Sequence, residues 1–266
     1  MRRAAAIRLG VMAALALSRP ERVAAQELAA LVPASPGRAT ASAPAPLPFA
    51  PGERFTYAVK VAKMGASGHG AMWIAGPEMV RGTEAYVLHF DSKAGLGPFR
   101  ASDKTTSWLD PQRMATLRFS KVEHHLFASH TDDVEVYPAQ RRWSAADSTT
   151  GESSTDSPLD ELSFIYYIRT LPLAAASVYV VERHFDVQRN PTTIRVIGHE
   201  DIETKAGRFS TLKVEMRVRD PRHYQGEGTI VFNFTDDTRR IPVRIESTVP
   251  VYGKTVLTLE GIGVVP

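Results

Sequence analysis

"SPLDELSFIYYIRTLPL", residues 157–173, decides how the rest of this chain is read. Ser157 suits an N-cap, and Pro158 suits the first helical position, where no N–H is needed. Asp160, three residues after that cap, can close a capping box, and Asp160 with Glu161 suits the positive end of the helix dipole. Pro172 stops the helix near Leu171. The spacing therefore predicts one helix over about 158–170. Leu159, Leu162, Ile165, Tyr166 and Arg169 fall at helical spacing. Phe164, Tyr167, Ile168 and Leu171 widen the apolar surface to nearly the whole circumference. Each large apolar side chain buried contributes roughly 1.5–3 kcal/mol, so such a helix belongs inside the protein. It reads as a plug against a sheet, with the tyrosine hydroxyls and Arg169 near a rim. In the functional alternative Tyr166 and Arg169 line a ligand cavity.

On both sides of the helix the pattern has period two. In "ERFTYAVKV" (53–61) Phe55, Tyr57, Val59 and Val61 form one row and Thr56, Ala58 and Lys60 the other, so one row faces a core. "MGASGHG" (64–70) reads as a glycine-rich turn and "AMWIAG" (71–76) as the returning strand. Similar runs continue to "RRWSA" (141–145), before the polar loop 146–157, and resume from "SVYVVERHFDVQ" (177–188) to "KTVLTLEGI" (254–262). About a dozen strands with no β-α alternation exclude dinucleotide-binding and TIM-barrel architectures. Short connections imply antiparallel pairing of sequence neighbours, and curling hides the edges. The expected fold is mainly β: a large antiparallel curved sheet or barrel-like fold with one buried central helix. It forms a single β-rich domain over 52–266, divisible into two sub-sheets by the helix.

The first residues have the form of a secretory signal. Arg2, Arg3 and Arg8 precede "LGVMAALAL" (9–17), an apolar run too short to cross a bilayer. Val23 and Ala25 mark a cut before Gln26. Residues 1–25 hold five arginines against one acid, so their removal takes the net charge from +3 to −1. The basicity belongs to the leader, and no nucleic-acid reading follows from it. Residues 26–51, with six prolines, read as a disordered linker. The chain contains no cysteine, which removes disulfides, thiolate metal sites and a cysteine nucleophile. No transmembrane segment is expected after signal removal.

Two stretches could carry chemistry. "EHHLFASHTDD" (123–133) offers His124, His125, His130, Asp132 and Asp133, but neighbouring strand residues point to opposite faces, so a solvated hairpin rather than a metal site is expected. "TDDTRRIPVRIES" (235–247) sets Asp236 and Asp237 beside Arg239 and Arg240. A glycan hydrolase could use paired carboxylates among Asp160, Glu161, Asp236 and Asp237. The plainer reading is a charged turn before a strand, with Pro242 at an edge or bulge. Tyr166, Tyr167, Arg169, Asp237, Arg239 and Arg240 are the candidate ligand-binding residues. No cofactor-binding fingerprint occurs.

Five stretches in order, "FAPGERFTYAVKV", "SWLDPQRMATLRF", "DELSFIYYIRTLPL", "IETKAGRFSTLKVEM" and "TDDTRRIPVRIES", resemble the domain-of-unknown-function 3108 family of exported bacterial proteins over about 49–262. "VFNFTDD" departs from the tryptophan-containing strand often found there in the family. The resemblance implies an exported, mostly antiparallel β-fold and transfers no catalytic residue. The layout is also similar to that of periplasmic lipoprotein carriers, a likeness of fold only. The expected function is non-catalytic binding of an apolar or amphipathic envelope ligand or partner in the periplasm. Lipid, lipoprotein or glycan would be the partner; a structural adaptor is the further alternative.

Overall fold

A computed structural model describes residues 46–62, 65–97, 99–125, 128–221, 226–249 and 253–265. The leader, its cleavage site and the linker to residue 45 lie outside the described residues.

Among the described residues fourteen strands form one sheet. Eight precede the helix: β1 (Glu53–Val61), β2 (Ala66–Val80), β3 (Thr83–Leu96), β4 (Phe99–Asp110), β5 (Ala115–His125), β6 (Ala128–Tyr137), β7 (Arg142–Ala145) and β8 (Thr150–Glu152). The helix α1 (Glu161–Thr170) follows. Then come β9 (Val178–Val181), β10 (Thr192–Thr204), β11 (Gly207–Arg219), β12 (Glu227–Thr235), β13 (Pro242–Val249) and β14 (Gly253–Val264). Each strand pairs antiparallel with its sequence neighbour within the two runs, and β1 pairs with β14 to join them. The order β8 to β1, then β14 to β9, makes the two short strands flanking the helix the outer edges.

Those edges do not pair with each other. The segment before α1 closes the seam instead. Leu159 donates its N–H to the Arg183 carbonyl at 2.5 Å and accepts from Phe185 N–H at 2.9 Å, while Thr116 N–H donates to the Pro158 carbonyl at 2.7 Å. Phe185 then packs with Phe119, Val134, Val136 and Trp143 across the gap.

The alternation places its apolar rows as expected. Phe55 and Tyr57 of β1, Met72 and Ile74 of β2, Leu88, Leu109, Val214, Phe232, Phe234, Val243 and Leu259 share one buried cluster with Leu162, Phe164, Tyr166 and Ile168 of α1. The sheet thus wraps the helix, and the concave face is filled by side chains. Residues 46–51 pack onto the domain: Phe49 sits edge-on to Tyr166 at 5.1 Å.

Two local expectations are corrected. The helix starts three residues late. Pro158 and Leu159 are held extended by the seam bonds, so Asp160 becomes the N-cap and Ser163, not Asp160, completes the capping box. In "MGASGHG" Met64 lies outside the described residues, Gly65 is a turn, and Gly68 and Gly70 lie within β2. A Cβ on Gly68 would meet the Lys93 carbonyl oxygen at 1.8 Å, so glycine serves close strand approach there. Pro242 does mark a bulge: Phe234 pairs with Pro242 and Asn233 with Arg244.

Candidate functional site

Three polar regions stand out, one at each end of α1 and one on the outer face of the sheet.

At the C-terminal end, Arg169 is buried. Its Nη1 donates to Glu53 Oε1 at 2.6 Å and its Nη2 to Glu53 Oε2 at 2.8 Å, a bidentate pair. Nη2 also reaches the carbonyls of Pro48 and Arg239, each at 3.0 Å. The guanidinium lies over the rings of Phe49 and Tyr166, at 5.2 and 5.3 Å. Asp237 organises the β12–β13 turn, accepting from Thr235 Oγ1 at 2.7 Å, Arg239 N–H at 2.9 Å and Arg240 N–H at 3.0 Å. Although desolvation opposes it, these donors and nearby Arg239 hold the Asp237 carboxyl below its ordinary range. Arg240 Nη1 contacts Asp236 at 2.9 Å. The structure therefore brings Arg169, Arg239, Arg240 and Asp237 to one place. Tyr166 is fully buried beside them, while Tyr167 stacks under Arg183 at 4.6 Å.

At the N-terminal end, Asp160 is fully enclosed. Its Oδ2 accepts from the Ser107 and Thr116 hydroxyls, both at 2.5 Å, and its Oδ1 from the N–H groups of Leu162 and Ser163 at 2.8 and 2.9 Å. Burial pushes its pKa up despite these four donors. Glu161, beside it, contacts Lys121 at 3.1 Å and Arg189 at 2.7 Å. Desolvation would raise Glu161, but the two cations hold it far below the carboxylate range. Desolvation likewise works against the Lys121 charge, yet Glu161, Asp103 and Glu123 hold its pKa well above the usual lysine value.

Asp103 is the strained member of this group: burial, with Glu123 and Glu161 adding to it and Lys121 and Thr105 opposing, pushes its carboxyl up to about 6. The folded protein therefore holds this proton more tightly than the unfolded chain, whose Asp titrates near ~3.9. Stability contributed here is fully present below about pH 4 and lost as pH rises to about 6. Asp103→Asn is expected to stabilise the protein by about 2–3 kcal/mol above pH 6 and to change little at pH 4, read by denaturant unfolding at both pH values. Equal effects at both would show that Asp103 is ionised in the fold throughout.

The four carboxylates considered for glycan chemistry do not converge. Eight residues, or about 12 Å of helix axis, separate Glu161 from Arg169, which touches the turn bearing Asp236 and Asp237. In the β5–β6 hairpin, His124 Nδ1 lies 2.9 Å from Ser129 Oγ and His130 Nε2 lies 3.0 Å from Asp132. Among the described residues no group of three or more His, Asp or Glu is placed to hold a metal ion. Nor is any helix among them long and apolar enough to cross a membrane.

The third region went unnoticed in the sequence. A groove of about 430 Å³ lies on the outer face of β14, β1, β2 and β3, lined by Arg54, Thr56, His69, Ala71, Asp91, Ser92, Lys93 and Glu260. Register assembles it: Thr56 pairs with Ala71 and Ala71 with Asp91, while Arg54 pairs with Trp73 and His69 with Lys93. The floor is low because Thr56 and Ala71 are small. Arg54 lies over Trp73 at 5.2 Å, and His89 stacks on the same indole at 4.6 Å. The bulge that pairs Thr56 with Gly261 and Tyr57 with Leu259 leaves Glu260 on the rim, 3.6 Å from His69 and 3.7 Å from Lys205. Asp91 Oδ1 is buried and has no hydrogen-bond partner among the described residues.

Residues 56–260 match the family model described as Protein of unknown function (DUF3108). The chain belongs to the DUF3108 family. This DUF3108 chain shares its fold with the β-barrel-like protein of the domain-of-unknown-function family DUF1849 from Brucella abortus. The two are 13% identical over 81% of this chain and 98% of that one, with a TM-score of 0.54. A candidate exported protein with a YmcC-like fold from Bacteroides fragilis aligns over 81% of this chain and 97% of its own, at 13% identity and a TM-score of 0.31. A candidate lipoprotein from Parabacteroides distasonis aligns over 80% and 95%, at 11% identity and a TM-score of 0.29. No curated protein matches the chain.

Proposed function

We propose that this DUF3108 protein is exported and acts in the cell envelope as a non-catalytic binding protein whose ligand or partner seats in the outer groove. The leader-like residues 1–25 support export. One observation supports the groove: an outward depression of drug-sized volume gathers charges of both signs around a buried, unpartnered carboxylate oxygen. The concave face, where a lipid would otherwise lodge, is taken up by α1 and its core. We assign Arg169, Asp237, Arg239 and Arg240 with Tyr166 to holding the helix, and Tyr167 to its Arg183 contact.

The test is native mass spectrometry of the protein isolated from envelope fractions. Ala71→Trp fills the groove floor from a solvent-facing position and leaves the core untouched. The wild-type protein is expected to retain a small bound species that the Ala71→Trp protein has lost. Retention by both, or conversion of the bound species during incubation, would overturn the reading.

A further inference from the structure

We propose that the outer groove recognises a compact zwitterion, a phosphoester carrying a primary ammonium a few bonds away, as in phosphoethanolamine, with the phosphate against Arg54 and Lys93 and the ammonium on Asp91. This deepens the binding reading above and rests on it.

The argument is one of unmet charge. Among the described residues Arg54 and Lys93 line the groove without an ion pair; Arg54 is held over Trp73 by a cation–π contact only. An anionic group placed between them gains two charge-assisted donors. The guanidinium is well suited to phosphate because its forked N–H groups match two oxygens at once. His89 behind the indole adds no third cation, since burial lowers its pKa. The acids differ in how far they are satisfied. Glu260 already contacts His69 and Lys205, whereas the Asp91 carboxylate, which lines the groove, makes no ion pair among the described residues and its Oδ1 has no donor. A carboxylate left unpaired at the groove is unfavourable, and an N–H donor arriving at its groove side relieves it.

An anion alone would leave Asp91 unsatisfied and repelled. A cation alone would leave Arg54 and Lys93 idle. The two demands share one groove: Asp91 and Lys93 are two residues apart on β3, about 7 Å, while Arg54, two strands away and in register with His89, lies about 12 Å from Asp91 and about 17 Å from Lys93 before the side chains reach back. A ligand whose opposite charges are separated by a few bonds fits that spacing, and the volume leaves room for a glycerol or sugar beyond them.

The same chemistry can arrive as a free metabolite or as a lipid head group. Isothermal titration of the purified protein with O-phosphoethanolamine is the primary measurement, with inorganic phosphate and ethanolamine as the two halves. The intact zwitterion is expected to bind at least tenfold more tightly than either half. Asp91→Asn is expected to weaken it at least tenfold while strengthening phosphate binding, from which it removes a repelling charge. Lys93→Met, at an exposed position that the fold does not depend on, is expected to weaken both. Co-sedimentation with phosphatidylcholine vesicles containing phosphatidylethanolamine, but not with phosphatidylcholine alone, whose quaternary nitrogen has no N–H, would assign the lipid source. Binding confined to the soluble compound would assign the free one. Equal affinity for phosphate alone, an unaffected Asp91→Asn, or no binding by any probe overturns the inference. If the Ala71→Trp protein still differs from wild type in its retained species, the binding reading then stands and only the ligand class falls.

Discussion

Arg169→Ala is expected to destabilise the protein by about 3–5 kcal/mol, because it leaves Glu53 as an uncompensated charge among apolar side chains. For a domain of this size that corresponds to a fall of roughly 10 °C in Tm. The substitution does more than remove one ion pair. It frees the carbonyls of Pro48 and Arg239 and takes the guanidinium from over Phe49 and Tyr166, so the segment before β1, the helix end and the β12–β13 turn lose a common anchor. Glu53→Ala should cost a similar amount, since the stranded group is then the guanidinium. The double substitution should cost clearly less than the sum of the two singles. Denaturant unfolding of the three variants measures this; strict additivity, or a loss under about 1 kcal/mol for Arg169→Ala, would show that the pair is not coupled as the geometry requires.

Asp160→Ala should rank next, at about 3 kcal/mol. An N-cap is worth roughly 0.5–2 kcal/mol, and here the same carboxylate also satisfies two hydroxyls that no water can reach. Asp160→Asn keeps one carbonyl oxygen for the Leu162 and Ser163 N–H groups and should lose about 1 kcal/mol. Thermal melts of the pair separate the contributions. An alanine variant as stable as wild type would mean that the helix start is held by the Leu159 seam bonds alone.

Much of this fold is legible from local pattern. Strand alternation is a property of consecutive residues, so the row Phe55, Tyr57, Val59 is visible in the sequence and falls inside as expected. The plug is legible for the same reason: a helix apolar on nearly every side has nowhere else to go. The helix start is not. Ser157 and Asp160 are both good caps, and the choice is made by Arg183 and Phe185, which bind the intervening Leu159 as if it were a strand. Glu53 carries no local sign that its partner lies 116 residues away. The outer groove is least visible of all. Arg54, Ala71, Asp91 and Glu260 become neighbours only once β14, β1, β2 and β3 are in register, and one added residue at the Glu260 bulge resets the last of them.

The pairing of β1 with β14 sets the order in which the molecule can be completed. Glu53 lies opposite Val264, so the strand at the middle of the sheet lacks one neighbour until β14 has been made. Hairpins on either side can form early, but the two halves stay unjoined, and contacts so distant along the chain are slow to close. A sheet built this way is joined across its middle only when β14 reaches β1.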